Sequence, residues 1–186
     1  MPGRVTVADL VLCDVTLMSR TQQLELLAIR NQETIREASY GSHIIQPEEH
    51  IAWIKKMAHV PSDEIWCFYA VLHEDIIVGG VGIRGSELKE DAVWSFYVSE
   101  TEQGCGVGVA LAVKALDYFF AEFALKRVCG EALVSNTGSI KYHDKLGFVE
   151  VGAKSVPIPH TGAAVEAVIF SLSAEKWQSQ RAGLIG

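Results

Sequence analysis

The stretch at residues 97–113, Y-V-S-E-T-E-Q-G-C-G-V-G-V-A-L-A-V, constrains the fold more than any other part of the sequence. A β-rich run ends there, three glycines follow closely, and an apolar helical pattern begins directly behind them. Glycines let the backbone approach a ligand, and the first turn of a helix offers unpaired N–H donors at the positive end of its dipole. The stretch therefore predicts a phosphate-binding loop between a strand and a long helix.

The rest of the chain mixes strand patterns with helix patterns. Predicted strands lie at residues 10–17, 65–72, 76–84, 92–98, 127–134, 148–156 and 165–172, and predicted helices begin near Ser19 or Thr21, at Pro47, at Val107 and at Asn136. Residues 30–39 read as a polar second helix or a loop. Because three strands in a meander precede the glycine loop, we expect an α/β (α+β) fold with a mixed sheet, and not an all-parallel one.

Turn-like sequences separate the strands, and glycines interrupt one of them. H-E-D, G-S-E-L-K-E-D and a Pro/His/Gly loop after residue 156 predict the connections. Gly79, Gly80 and Gly82 lie inside the middle strand of the meander. Glycine at such positions indicates a β-bulge or the close approach of another backbone.

Length and charge limit the domain count and the partners. A chain of 186 residues with 49% hydrophobic residues can build one full core, so residues 1–186 are predicted to form a single domain. The net charge is −7, and no run of Lys or Arg provides the basic patch that nucleic acids or anionic membranes attract. We expect neither as a partner.

Four scattered cysteines, Cys13, Cys67, Cys105 and Cys129, form no C-x-x-C pair, and the six histidines do not cluster at ligand spacing. The sequence therefore predicts no metal site, and reduced cytosolic thiols are the simplest reading. No apolar segment matches a signal peptide or a membrane span, so the protein is predicted to be cytoplasmic.

Two familiar glycine motifs do not match the loop. A dinucleotide-binding G-x-G-x-x-G requires a glycine three positions after the second, and no register of G-C-G-V-G-V-A-L supplies it, Val109 standing at the critical place. A Walker A loop requires Lys and Ser or Thr after its last glycine, but Gly108 is followed by Val-Ala-Leu. Dehydrogenase and P-loop nucleotidase functions are therefore not expected.

What remains is Q-x-x-G-x-G, formed by Gln103, Gly106 and Gly108, which resembles the acetyl-CoA pyrophosphate loop of the GNAT superfamily of N-acetyltransferases. A second motif, N-T-G-S-I-K-Y-H-D-K-L-G-F at residues 136–148, resembles the GNAT segment that runs from a strand-ending Asn to a final L-G-F. Two such motifs at the expected separation imply a GNAT fold with a mostly antiparallel sheet of about seven strands.

The first half of the chain narrows the resemblance. Residues 30–54 contain S-H-I-I, E-E-H and W-I, which are similar to the amino-terminal signature of GNAT enzymes that acetylate a UDP-linked 4-amino-4,6-dideoxy sugar in pseudaminic acid synthesis. G-E-A-L-V-S-N and A-V-I-F-S-L-S-A-E-K-W also look like that subgroup. The resemblance implies transfer of acetyl from acetyl-CoA to the 4-amino group of a nucleotide-linked sugar, by direct attack on the thioester. It also implies a possible homodimer.

The resemblance assigns the cofactor site to the loop and to the second motif. Backbone N–H groups around the glycines would hold the pyrophosphate, and the Val98 N–H would contact the acetyl and pantetheine end as oxyanion donor. The implied acetyl-CoA-binding residues are Val98, Gln103, Gly104, Gly106, Val107, Gly108, Asn136 and Ser139.

Acetyl transfer also requires a neutral amine and a proton for the leaving thiolate. Glu131 lies in the apolar strand V-C-G-E-A-L-V, where burial would raise its basicity, so it is the candidate base; the alternative is a solvated position or a pair with Arg127. His143 occupies the place where many GNAT enzymes carry an acidic Tyr, and it is the candidate acid despite the alternative of a helix-surface His. Tyr142 is the fallback, although it is expected to point about 100° away, toward the core.

A UDP-sugar carries two phosphates and a uracil, so cationic, imidazole and aromatic side chains are required to bind it. Residues of these types within the subgroup signature are Arg30, His43, His50 and Trp53. Surface placement of His50 and core packing of Trp53 are the simpler structural alternatives. Trp94 and Tyr97 either line the same cleft or pack in the core.

Two other functions stay open at this point. A GNAT enzyme that acetylates a protein N-terminus or a polyamine would require an acidic acceptor groove in place of Arg30 and the histidines. A non-catalytic acyl-CoA-binding module would keep the loop and lack a usable acid or base, and the His at position 143 keeps that alternative open.

Overall fold

The computed structural model describes residues 5–86, 91–158 and 163–185. Its centre is one seven-stranded sheet in the order β1-β2-β3-β4-β5-β7-β6. The strands are β1 Leu10–Asp14, β2 Glu64–His73, β3 Ile76–Ser86, β4 Asp91–Val98, β5 Arg127–Leu133, β6 Val149–Pro157 and β7 Ala164–Ser173. All neighbouring strands are antiparallel except β4 and β5, which are parallel. The predicted mixed, mostly antiparallel sheet of seven strands is confirmed.

Six α-helices flank the described part of the sheet. They are α1 Arg20–Arg30, α2 Glu33–Glu37, α3 Pro47–Met57, α4 Val107–Glu122, α5 Thr137–Lys145 and α6 Ala174–Gln180. Ser19 caps α1 by accepting a hydrogen bond from the Gln22 N–H, and Pro47 is the first residue of α3, as predicted. Helix α6 was not predicted, although Ser173 is a typical N-cap residue and its hydroxyl accepts a hydrogen bond from the Lys176 N–H.

Each face of the sheet buries its own apolar cluster, because successive side chains of a strand point to opposite sides. On one face, Tyr69 and Val71 of β2 join the core around α4, whose buried residues include Leu111, Leu116 and Phe119. On the other face, Phe68 and Ala70 pack with residues of α1 and α3. The sheet is therefore covered on both sides, and α1 to α3 form a separate layer over β2 to β4.

Strands β4 and β5 are paired only where they begin. Asp91, Ala92 and Val93 pair with Arg127, Val128 and Cys129, and no pairing continues beyond them. The later residues of β4 still pair with β3, and those of β5 still pair with β7. The sheet thus opens between its two parallel strands, and strand edges that would otherwise be paired border a cleft.

Gly79, Gly80 and Gly82 of β3 lie against different groups. A Cβ at Gly79 would overlap the Tyr97 carbonyl of the neighbouring strand, and the β2–β3 register shifts close by, between Val71 and Leu72. These observations confirm the predicted bulge and close backbone approach. At Gly80 and Gly82 the added Cβ would meet the Phe68 ring, at 2.6 Å for Gly80. At Gly82 the Cβ would also lie 2.9 Å from the Cys67 carbonyl, so the predicted backbone approach holds there, and the contact with an aromatic ring is what the prediction lacked.

Parts of two predicted connections lie outside the described residues. The G-S-E-L-K-E-D connection includes residues 87–90, and the Pro/His/Gly loop before β7 includes residues 159–162. The H-E-D turn lies between β2 and β3, where Glu74 and Asp75 both adopt positive φ. Among the helices in the described ranges, none combines the length and the apolar character needed to cross a bilayer.

Candidate active site

A cavity of about 1200 Å³ lies where the sheet opens. Its walls come from the layer of α1 to α3, from the glycine loop and from the start of α5. Twelve of the predicted site residues line it: Arg30, His43, His50, Trp53, Val98, Gln103, Gly104, Gly108, Glu131, Asn136, Ser139 and His143. The structure therefore brings the residues predicted for cofactor and acceptor into one continuous space.

The glycine loop forms the predicted turn between β4 and α4. Gly104 and Gly106 have φ values of 80° and 89°, in the left-handed region that side chains disfavour, and Gly106 is the N-cap of α4. The amides of the first turn of α4 have no intrahelical acceptor and carry the positive end of the helix dipole. Val107 is fully buried, so only its backbone can serve a ligand. This geometry suits an anionic group such as a pyrophosphate.

Side chains brace this loop and the facing helix. The Gln103 side-chain amide donates to the Val98 carbonyl at 3.1 Å, which ties the loop to the end of β4. The Asn136 side chain caps α5 by accepting from the Ser139 N–H at 2.9 Å. Both contacts fix the edges of the cavity. Binding of acetyl-CoA by these residues, including the oxyanion role of the Val98 N–H, stays a prediction.

His143 is a buried residue and not the surface histidine that its helical position suggested. Its side chain is 1% exposed and stacks on Phe170 with ring centroids 4.6 Å apart. Trp94 Nε1 donates to His143 Nε2 at 3.2 Å, and His143 Nδ1 lies 2.8 Å from the Ser139 carbonyl. These partners place the proton on Nδ1, and burial lowers the pKa of His143. The contacts do not favour the predicted role of His143 as proton donor.

Tyr142, the fallback acid, lines the cavity. Its ring packs against Phe96 of β4, and its hydroxyl donates to the Gly108 carbonyl at the start of α4. Burial raises the pKa of Tyr142, so the phenol keeps its proton at neutral pH. The core position expected from helical spacing is wrong in part, because half-buried Tyr142 faces the cofactor loop while His143 is the residue that fills the core.

Glu131 faces the cavity but has both carboxylate oxygens engaged. The Tyr40 hydroxyl donates to Oε2 at 2.6 Å, and Lys154 Nζ donates to Oε1 at 2.6 Å. Neither alternative considered from the sequence describes this position, since Arg127 pairs instead with Asp91. A general base must reach the proton that it abstracts, and here the two oxygens are directed at Tyr40 and Lys154. These contacts favour a positioning role for Glu131 over the predicted base role.

Aromatic rings form the floor of the acceptor side. Trp53 meets Phe68 edge to face at 5.1 Å, and Phe68 stacks on Tyr97 at 5.8 Å. Phe68 lies flat against β3 because Gly80 and Gly82 carry no side chain. Trp94, which is 3% exposed, closes the floor where β4 and β5 separate. Trp94 and Tyr97 thus belong to both the packed interior and the cavity wall.

Two polar atoms on this side are buried without a partner among the described residues. They are Nη1 of Arg30 and Nε2 of His50, and both residues line the cavity. His50 is 4% exposed and stacks on Trp53 at 5.5 Å. Burial lowers the pKa of both Arg30 and His50. An unpaired buried polar atom costs about 1–3 kcal/mol, so the pair is arranged for a ligand: Arg30 Nη1 requires an acceptor, and His50 Nε2 donates or accepts according to its tautomer.

Sequence reasoning missed several residues of this cavity. Tyr40, Trp66 and Phe68 line it, and Arg84 lies over the Trp66 ring at 4.6 Å. Tyr40 stood inside the quoted signature, where an aromatic residue beside Gly41 was a usable signal. Within the described ranges no group of three His, Cys, Asp or Glu residues is placed to hold a metal ion.

The family follows from residues 17–149 of this chain, which match the sequence model described as "Acetyltransferase (GNAT) domain". The chain belongs to this family of GNAT acetyltransferases. It is similar to the SPbeta prophage-derived uncharacterized N-acetyltransferase YokL of Bacillus subtilis (strain 168), with 27% identity over 113 residues. That alignment covers 60% of this chain and 63% of the relative, so it spans less than two thirds of the relative's length.

Solved structures share the fold. Spermidine N-acetyltransferase from Vibrio cholerae, solved with CoA and spermine, superposes with a TM-score of 0.78 at 18% identity, over 92% of this chain and 99% of that one. The microcin C7 self-immunity acetyltransferase MccE, solved with acetyl-CoA and AMP, superposes with a TM-score of 0.74 at 16% identity, over 93% and 97% of the two chains. At such identities the likeness shows the fold alone.

Proposed function

We propose that this protein transfers an acetyl group from acetyl-CoA to a primary amine of a nucleotide-linked sugar, and specifically to the 4-amino group of a UDP-linked amino sugar. Family membership supports acetyl-CoA as the donor. The left-handed glycines at the start of α4 support a pyrophosphate site on the cofactor side. The proposal for the acceptor rests on the opposite wall of the cavity.

The buried, unpartnered Nη1 of Arg30 and Nε2 of His50 are the observation that carries this acceptor. A guanidinium recognises phosphate oxygens through charge-assisted hydrogen bonds, and an imidazole supplies a further donor or acceptor. Trp53, stacked on His50, offers an aromatic face to a planar base. A nucleoside diphosphate supplies both kinds of group in one molecule.

The charge balance of the acceptor side argues against a polyamine, although a spermidine acetyltransferase shares the fold. Both carboxylates that line this side have cationic or imidazole partners: Glu131 pairs with Lys154, and Glu49 contacts His43 at 3.1 Å. Arg30 has no acidic partner among the described residues. A di- or tricationic acceptor would therefore meet an uncompensated guanidinium, and both carboxylates on this side already have a hydrogen-bond partner.

The proposed reaction forms an N–C bond as the thioester C–S bond breaks. The amine attacks in its neutral form, because a protonated nitrogen has no lone pair, and it passes its proton to water. The Tyr142 hydroxyl, which donates to the Gly108 carbonyl in the structure, turns away from it to protonate the departing thiolate and recovers its proton from solvent. Backbone N–H groups at the end of β4 stabilise the developing oxyanion. This scheme uses Tyr142 as acid in place of His143.

Product analysis by mass spectrometry tests the proposal directly. The protein is incubated with acetyl-CoA and one acceptor at a time. The acceptors are a UDP-linked 4-amino sugar, spermidine and a peptide with a free N-terminus. We expect a mass gain of one acetyl group only on the nucleotide sugar. Acetylated spermidine or peptide with an unmodified nucleotide sugar would overturn the acceptor assignment and leave the acetyl-CoA assignment intact.

A binding measurement separates the nucleotide from the sugar. Isothermal titration with UDP alone should show binding to the wild-type protein and about 10- to 100-fold weaker binding to Arg30→Met, which removes the charged donor. Lys56→Met is the control, because Lys56 lies on α3 in the same helical layer with an exposed side chain. Equal UDP affinity in all three proteins would contradict the role of Arg30.

A further inference from the structure

One wall of the acceptor side is formed by residues 38–46, which connect α2 to α3 and are called the strap here. Ala38, Ser39, Tyr40, Gly41, His43 and Ile45 of this segment line the cavity. Residues 38–46 themselves form no helix or strand. Its position therefore depends on specific hydrogen bonds.

Both ends of the strap are held by its own layer. Asn31 exchanges two hydrogen bonds with the backbone of Ile45, each 2.9 Å long. The Arg36 guanidinium donates to the Ser42 carbonyl at 2.6 Å and to the Asn31 carbonyl at 3.0 Å. These contacts shape the strap locally, but they do not connect it to the sheet across the cavity.

The connection across the cavity is a chain of three side chains. The Tyr40 hydroxyl donates to Glu131 on β5, and Glu131 is held in turn by Lys154 on β6, both at 2.6 Å. The Glu131 side chain is 20% exposed and the Lys154 side chain is 41% exposed. Burial, and then the hydrogen bond to Glu131, raise the pKa of Tyr40, so its hydroxyl stays a donor at neutral pH.

Lys154 is not among the residues that line the cavity, and among the described residues its side-chain contact reaches the strap through Glu131. Without the ammonium group, one Glu131 oxygen loses its partner and the carboxylate gains freedom to rotate away from Tyr40. We propose that Lys154 is a positioning residue for acceptor binding: it fixes Glu131, which fixes Tyr40 and holds the strap against the open sheet. This inference rests on the proposed function, which identifies the molecule bound on this side of the cavity as the acceptor.

This role accounts for a carboxylate at the cavity wall whose two oxygens both accept hydrogen bonds from protein groups. A charge-assisted bond to a phenol is stronger than a neutral one, and Lys154 keeps the carboxylate in place to accept it. The strap also carries His43 to the cavity rim. Loss of the Lys154 contact should therefore weaken acceptor binding without touching the cofactor loop.

Amide hydrogen exchange tests the mechanical part without any substrate. We expect Lys154→Met and Tyr40→Phe each to raise exchange by about tenfold in peptides covering residues 38–46, as expected for loss of a charged hydrogen bond. The double variant should exchange no faster than Tyr40→Phe alone, because both changes break one chain. Lys176→Met, an exposed lysine on α6, is the matched control and should leave the strap unchanged.

Steady-state kinetics with the nucleotide-sugar acceptor test the functional part. Lys154→Met should raise the acceptor KM about tenfold, with kcat and the acetyl-CoA KM within about twofold of wild type. Lys154→Arg, which keeps a cation, should restore most of the affinity.

The two arms fail separately. Unchanged strap exchange in Lys154→Met, or additive effects in the double variant, overturns the positioning role whatever the acceptor. If no turnover occurs with the nucleotide sugar but exchange rises as expected, the proposed acceptor fails and the positioning of the strap stands. In Lys154→Met, a loss of kcat as large as the rise in acceptor KM would also overturn the positioning role, because Lys154 would then act in the chemical step.

Discussion

The two sides of the cavity are formed by different kinds of groups, backbone on one side and side chains on the other. The cofactor side consists mainly of backbone: left-handed Gly104 and Gly106 and the first turn of α4. The acceptor side consists of side chains from widely separated parts of the chain, such as Arg30, Trp53 and Glu131. A site made of backbone needs residues that permit one local conformation, whereas a site made of side chains needs an assembled fold to bring them together.

The two sides are nevertheless in contact. Glu100, in the short 3-10 turn after β4, accepts hydrogen bonds from the Thr34 hydroxyl at 2.7 Å and the Thr34 N–H at 3.1 Å. The Glu100 N–H donates to the Gln32 side chain at 2.9 Å. Helix α2 is thus fastened to the segment that leads into the glycine loop. We nevertheless expect substitutions on one side to change the KM of the substrate bound there and to leave the KM of the other substrate nearly unchanged.

The largest effect is expected where the two sides meet at the reacting thioester. Tyr142→Phe removes the proposed proton donor and should lower kcat by about 100-fold or more, with KM values for both substrates little changed. Stopped-time assays of thiol release measure the change. His143→Gln is the comparison, since it keeps an acceptor for the Trp94 N–H. A larger kcat loss in His143→Gln than in Tyr142→Phe would return the acid role to His143.

On the acceptor side, Arg30→Met should raise the acceptor KM about 10- to 100-fold, because a charged donor to the phosphate is lost. The acetyl-CoA KM should stay within about twofold, since Arg30 Nη1 makes no hydrogen bond to the glycine loop. Initial rates measured with each substrate varied in turn give both constants. An equal rise in both KM values would show that the two sides are not separable.

On the cofactor side, Gly106→Ala should weaken acetyl-CoA binding about tenfold, because an L-residue in the left-handed region costs about 1–2 kcal/mol. Titration calorimetry measures the affinity. Cys105→Ala changes only an exposed side chain in the same loop and should have an effect below about twofold. If Cys105→Ala were the more damaging change, the cofactor side would depend on side chains after all.

A final prediction concerns stability and pH, and not the kinetics of the two sides. His143 and His50 are buried and their folded-state pKa values are lowered, so the unfolded chain binds more protons than the folded chain below about pH 6.5. Stability should therefore be full above that pH and fall as the pH decreases through it, by up to about 1.4 kcal/mol per pH unit for each histidine. Urea unfolding at pH 7.5 and 5.5 measures this slope.

Two substitutions assign the slope to particular histidines. His143→Gln should make the free energy of unfolding less dependent on pH between those two values. His59→Gln, at an exposed position after α3, should leave the slope unchanged. A steeper slope in His143→Gln would contradict the assignment of a buried neutral imidazole.

Local sequence predicted the elements well and the contacts of individual side chains less well. The β4, glycine loop and α4 unit was predicted because its signals are adjacent in the chain and each acts through the backbone. The roles of Glu131 and His143 were harder to predict, because partners such as Tyr40, Lys154 and Trp94 lie on other elements. Helical spacing alone also reversed the burial of Tyr142 and His143.

The sequence by itself determined the succession of strands and helices along the chain, the glycines that adopt left-handed conformations, and the family of this chain. The predicted single domain, the homodimer and the cytoplasmic location stay predictions. Only the tertiary structure decided that β4 and β5 separate after Val93, that Arg30 and His50 are left without partners, and that Lys154 holds Glu131. Backbone geometry follows from neighbouring residues, whereas the partner of a side chain depends on which distant residues the fold places beside it.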